Sequence, residues 1–164
     1  MKPMEVYPGL ILGGIADLDA MLAMRPDVLA PLDRLPGSVW RTGFRGEILY
    51  YPITDRDVLP DDVLDELVDQ IVRRVEAGRR IALFCHGGYG RTGYVAACAL
   101  YRLGVEKPLT FLWRHYSSSA VETETQDAAV MRFFMRHADR IGSAQARGSE
   151  SGNHPDAGGG SARG

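Results

Sequence analysis

Ile81-Ala82-Leu83-Phe84 is a continuous apolar run, and it leads straight into Cys85-His86-Gly87-Gly88-Tyr89-Gly90-Arg91-Thr92-Gly93. A short apolar run bounded by polar residues and glycines reads as a strand buried on both faces. Residues 91 to 103 then read as a helix closed by Gly104. From Tyr94 to Tyr101 that helix is apolar or small all round, which makes it a central, buried helix. A strand that passes through a glycine-rich turn into a helix aims several backbone N–H groups into one cup, and the helix dipole adds positive potential there. Gly87, Gly88 and Gly90 permit the positive φ and the close backbone approach the cup needs. The cup suits an anion such as phosphate, bound by His86, Gly87, Gly88, Tyr89, Gly90 and Arg91. Arg91 can hold two anion oxygens with its planar fork. Cys85 sits at the bottom of the cup, where the same donors favour negative charge on sulfur, the form that attacks. Thr92 lies where its hydroxyl can reach that sulfur and help it leave.

Outward from this segment, helices and strands alternate. Leu10-Ile11-Leu12 and the residues around Val28-Leu29 are short strand candidates, with a short helix over 16–24 between them. Ile48-Leu49-Tyr50-Tyr51 is rich in strand formers and ends at Pro52. Pro60 opens the clearest helix, with Asp61 and Asp62 complementing its N-terminal dipole. Its stripe is Val63, Leu64, Leu67, Val68, Ile71, Val72 and Val75, and Gly78 stops it. A helix over about 108–116 and a final one over 124–140 complete the pattern. Thr123-Glu124-Thr125-Gln126 fits a capping box at the start of the last helix. The sum is a single α/β domain, with a central, mostly parallel sheet flanked by helices. Residues 142–164 hold 7 of the 19 glycines, and alanines are their only apolar side chains. That Gly/Ser-rich composition reads as a disordered tail following a domain of residues 1–141.

Cysteine, five residues, arginine and threonine resembles the phosphate-binding loop of the protein tyrosine phosphatase superfamily. Tyr51-Pro52-Ile53-Thr54-Asp55, followed by Pro60 and its helix, resembles the general-acid loop of the small dual-specificity branch. Ala120-Val121-Glu122-Thr123 with Gln126 is similar to a stretch before the last helix of those enzymes. The likeness spans roughly residues 48–135. It implies a dual-specificity-phosphatase-like catalytic domain that removes phosphate from phosphotyrosine, and also from phosphoserine or phosphothreonine, in proteins. Cys85 would be the nucleophile of a phosphocysteine intermediate, with Arg91 holding the phosphoryl oxygens and Thr92 assisting. A general acid must protonate the leaving oxygen, and the resemblance assigns that role to Asp55, 30 residues before Cys85, with Asp57 as its competitor. Gln126 is a candidate to position the attacking water, although capping alone explains it. One departure stands out: the family usually has His before the nucleophile, and here it is Phe84. No cofactor and no metal is implied, and the partner is a phosphorylated protein or peptide.

The same residues admit other readings. Gly88-Tyr89-Gly90-Arg91-Thr92-Gly93 matches the Gly-x-Gly-x-x-Gly fingerprint of nicotinamide-dinucleotide enzymes. The acid that fingerprint requires would be Glu106, which lies in Gly-Val-Glu-Lys-Pro and on no apparent strand. A catalytically silent phosphate-binding module is the rival from a different class. Cys98 lies within an apolar helix and reads as packing. His115 and His137 read as helix surface or packing, and no metal-ligand spacing occurs. Trp40, Arg41, Phe44 and Arg45 could form a basic, aromatic lip for a substrate or simply pack. Lys and Arg number 19 against 21 Asp and Glu, which gives no nucleic-acid footprint. No apolar run is long enough to span a bilayer, the first residues lack a secretory h-region, and two cysteines make no disulfide framework. A cytoplasmic protein is expected.

Overall fold

A computed structural model describes residues 2–34, 37 and 43–152, with side chains to residue 139. Ile81–Cys85 forms the middle strand, β5, of a five-stranded sheet. The other strands are β1 (Met4–Tyr7), β2 (Leu10–Gly14), β3 (Val28–Pro31) and β4 (Glu47–Ile48), in the order β1-β2-β5-β3-β4. The pairs β2–β5, β5–β3 and β3–β4 are parallel, and β1 alone is antiparallel. The sheet is thus mostly parallel. The helices are α1 (Leu18–Ala23, entered through a 3₁₀ turn at Ile15–Asp17), α2 (Asp61–Glu76), α3 (Gly90–Arg102), α4 (Pro108–His115) and α5 (Glu124–Gly152).

Strand alternation distributes the core between two faces. Leu10, Leu12, Val28, Ala30, Ile81, Leu83 and Cys85 join the large core with α2, α3, α4 and α5. Ile11, Leu29, Ala82 and Phe84 point the other way, onto Leu18 and Met21 of α1. Cys85 therefore emerges on the α3 side. Phe84, where the resembled family usually has histidine, is fully buried under α1. All residues of α3 from Gly90 to Leu100 are buried, as its composition required. The α2 stripe is buried at Leu64, Leu67, Val68, Ile71, Val72 and Val75, whereas Val63 is only partly covered. Asp61 and Asp65 of α2 pair with Arg132 and Arg136 of α5, and His137 Nε2 lies 3.1 Å from Asp65 Oδ1. His137 also stacks on Phe133, so it is a packing residue, while His115 is exposed against Phe111.

Three elements differ from expectation. The strand expected over 48–51 is regular only at Glu47–Ile48. Leu49 N–H still donates to Leu29 O at 2.8 Å and Tyr51 N–H to Pro31 O at 3.3 Å. The return bond between them would need an N–H on Pro31, and proline has none. β1 was not anticipated: it is a four-residue edge strand with an irregular register, turned back at Pro8-Gly9 where Gly9 has φ 90°. Lastly, α5 continues to Gly152, past the expected end at Arg140. Residues 142–152, read from composition as unstructured, thus carry helical backbone. Extending an existing helix avoids the nucleation cost, and Ala144, Gln145, Ala146 and Arg147 are good helix formers. Residues 153–164 of that tail lie outside the described residues. No helix among the described residues is long and apolar enough to cross a membrane.

Candidate active site

The parallel strands β2, β5 and β3 all end at one sheet edge, and the chain leaves β5 there through the glycine-rich loop. The crevice beyond the carboxyl ends of parallel strands is where such sheets form sites. Here it is a cleft of about 740 Å³ lined by Asp33, Arg34, residues 52–56, Cys85, His86, Gly87, Tyr89, Gly90, Arg91 and Glu122. Cys85, only 2% exposed, forms part of its floor, and the Gly88 N–H donates to Sγ at 3.2 Å. Gly88 has φ 84°, and a Cβ there would lie 2.8 Å from the Gly13 carbonyl carbon. Gly14 is as tight, 2.9 Å from the Gly87 backbone, so the Gly13-Gly14 end of β2 and the loop interlock with no room for side chains. The Tyr116 hydroxyl closes the loop from outside, donating to Gly88 O at 2.7 Å. Burial pushes that hydroxyl above its usual range, with Cys85 and Tyr89 adding to the effect, so it remains a protonated donor.

The Arg91 side chain is almost wholly buried and is held on three sides. Its Nη1 donates to Ile53 O at 2.8 Å and lies 3.4 Å from Asp33 Oδ1, and its Nη2 lies 3.4 Å from Asp55 Oδ1. A buried guanidinium requires such partners. Asp33 also faces His86, whose Nδ1 is 4.0 Å away and whose side chain is largely exposed. Arg34 and Arg56 add two further cations to the walls, neither in an ion pair among the described residues.

Of the two candidate acids, Asp55 lies in the cleft beside Arg91, whereas Asp57 Oδ1 accepts from its neighbour's Val58 N–H at 2.8 Å. Gln126 is fully buried and does form the expected capping box. Its N–H donates to Thr123 Oγ1 at 3.1 Å, and its Oε1 accepts from the Thr123 N–H at 3.3 Å. Thr92 is fully buried, with its hydroxyl directed to Gly13 O at 3.4 Å. Cys98 is sealed in α3, where burial drives its thiol well above the ordinary range. Glu106 is exposed in the turn between α3 and α4 and lies on no strand. Phe44 packs with the α1-side core and Arg45 is exposed, while Trp40 and Arg41 lie outside the described residues. Among the described residues no three His, Cys, Asp or Glu side chains gather as a metal would require.

Asp33, Tyr116 and the Gly13-Gly14 pair went unnoticed in the sequence. Only the glycine pair carried a local signal, two glycines closing an apolar strand. Asp33 and Tyr116 reach the loop through tertiary structure alone.

Two proteins of Methanocaldococcus jannaschii resemble the chain. MJECL20 is 39% identical over 88 residues, covering 54% of this chain and 60% of that protein. MJ0215 is 34% identical over 85 residues, covering 52% of this chain and 54% of that protein. The matches thus span between about half and three fifths of those relatives. Among solved structures, Tk-PTP in its active form superposes with a TM-score of 0.71 at 24% identity, over 82% of this chain and 97% of that one. DUSP15 gives a TM-score of 0.71 at 14% identity, over 89% and 96%. A mouse putative dual specificity phosphatase complexed with zinc tungstate gives 0.70 at 16% identity, over 85% and 91%. These likenesses establish the fold. The family model for the DSP-PTPase phosphatase domain of Swiss Army Knife proteins matches residues 36–151, well over half of the chain and the whole of the cleft's glycine-rich loop. The chain belongs to that family of phosphatase domains.

Proposed function

We propose that this domain hydrolyses phosphate monoesters, phosphotyrosine in proteins first and phosphoserine or phosphothreonine beside it, through a phosphocysteine. The observation that carries the reading is the meeting of Cys85 Sγ, the Gly88 N–H and the Arg91 guanidinium in one cleft. Cys85, as thiolate, attacks phosphorus, forming an S–P bond as the P–O bond to the leaving group breaks. The loop N–H groups and Arg91 hold the three remaining oxygens while charge develops on them. Asp55 gives its proton to the leaving oxygen. Water then attacks phosphorus and loses a proton to Asp55, the S–P bond breaks, and phosphate leaves with Cys85 restored. The position of Asp55 supports this reading: its Oδ1 lies 3.4 Å from Arg91 Nη2, beside the group proposed to bind phosphate. The loop positions between Cys85 and Arg91 hold no lysine, which favours a singly phosphorylated group over a polyphosphorylated one.

The test is hydrolysis of para-nitrophenyl phosphate in excess EDTA by the wild type and by Cys85→Ser. Turnover that persists in EDTA and disappears in the variant is expected. A folded wild-type protein without turnover would contradict the enzyme and leave a silent phosphate-binding module.

A further inference from the structure

The capping box of α5 does more than cap. Its reciprocal bonds between Thr123 and Gln126, with the Glu122 N–H donating to Gln126 Oε1 at 3.0 Å, make the cap itself. The groups left over reach across to the acid loop. Thr123 Oγ1 donates its proton to Arg56 O at 3.3 Å, and Gln126 Nε2 donates to Asp57 O at 3.5 Å. Both acceptors follow Asp55 within two residues. Gln126 also touches the phosphate loop, where a Cβ on Gly90 would lie 3.0 Å and 3.1 Å from its amide oxygen and nitrogen.

Backbone strain collects at this contact. Arg56 and Val121 have φ of 66° and 67°, two of the four described non-glycine residues in the left-handed region. Each such residue costs about 1–3 kcal/mol and persists only where its surroundings hold it. Arg56 is exposed and stands third in a turn closed by the Asp57 N–H donating to Thr54 O at 2.9 Å, and the hydroxyl of Thr123 ties the carbonyl of that turn residue to α5.

We propose that Thr123 and Gln126 are positioning residues that latch the acid loop and set Asp55 over the phosphoryl group, an assignment that rests on the phosphatase reading above. A general acid matters in proportion to the basicity of the oxygen it protonates. A latch therefore has a signature that a helix cap lacks. The experiment measures kcat/KM for aryl phosphates whose phenols run from weakly to strongly acidic, for the wild type, Thr123→Val, Thr123→Ser, Gln126→Met, Asp55→Asn and the double variant Thr123→Val/Asp55→Asn.

Thr123→Val and Gln126→Met are expected to lose about tenfold on the most basic leaving group and less than about twofold on the most acidic. Thr123→Ser, which keeps the hydroxyl, restores the rate. In the Asp55→Asn background the Thr123→Val change has no further effect, because the group it positions is gone. An equal loss across all leaving groups, or one that survives in that background, would show a cap and nothing more. A pre-steady-state burst followed by slow turnover in Gln126→Met would assign that residue to water attack and overturn its half of the latch. A wild type that hydrolyses none of the esters would overturn the phosphatase reading, and the latch with it.

Discussion

Cys85, Gly88, Gly90, Arg91 and Thr92 are buried, while Thr54, Asp55 and Arg56, across the same cleft, are exposed. The first group is fixed by covalent continuity between a central strand and a buried helix, by the interlock with Gly13-Gly14, and by Tyr116. The second is fixed by a few hydrogen bonds and one strained residue. In the proposed mechanism the two loops do different chemical work. Oxyanion donors act best when they need no reorganisation, so the phosphate loop is built into the core. An acid that must serve a leaving group and then a water molecule needs only to be held within reach. Stability is distributed accordingly, since exposed loops with few buried contacts occupy the low-stability end of a fold.

That contrast can be broken at either loop. On the acid side, Asp55→Asn should lower kcat for a phenyl phosphate by about 10² or more, with the loss shrinking as the phenol becomes more acidic. Asp57→Asn should remain within about threefold, because its carboxylate caps its own turn. A reversal of the two would reassign the acid. On the phosphate side, Gly88→Ala meets both a positive φ and the Gly13 backbone. A cost of about 1–3 kcal/mol is expected, read as a lower melting temperature together with lost binding of a phosphate-mimicking oxyanion. Retained stability with full oxyanion binding would show the loop to be less constrained than described.

The smallest effect concerns the α2–α5 clamp, which holds neither Cys85 nor Asp55 directly. Burial raises the Asp65 carboxyl, but the hydrogen bonds and charges of Arg136 and His137 outweigh it and hold the group below its ordinary value. A carboxylate depressed in the folded state stabilises above its unfolded pKa and loses that contribution as pH falls through the folded value. Stability should therefore decline from about pH 4 downward. Asp65→Asn should cost about 1 kcal/mol at neutral pH and flatten that decline. Unchanged acid sensitivity in the variant would place the titrating group elsewhere.

How far these features could be read in advance follows from where their information lies. The loop from Cys85 to Gly93 is legible because strand, glycines, arginine and helix start are consecutive. The order of elements is equally plain, since α2 carries its stripe and α3 is apolar all round. The resemblance favours Asp55 as the proposed acid over Asp57, and what distinguishes their surroundings is tertiary: Asp55 lines the cleft beside Arg91, while Asp57 accepts from the Val58 N–H. Asp33 lies 58 residues from Arg91 in the chain, and nothing local marks it as a partner. Tyr116, on the residue after α4, likewise meets Gly88 only because α3 and α4 pack together. The shortened β4 was readable in principle, because Pro31 lacks the N–H that its neighbour needs, but the pairing of those two strands had to be known first.

The most direct test of the phosphocysteine mechanism is acid quenching of the protein during turnover of an aryl phosphate, then mass analysis of its tryptic peptides. Cleavage after Arg80, Arg91 and Arg102 places Cys85 and Cys98 on separate peptides. One phosphoryl group is expected on the peptide Ile81–Arg91, present in the wild type and absent in Cys85→Ser. Turnover with that peptide unmodified at every quench time, or a phosphoryl group on the Cys98 peptide, would contradict it.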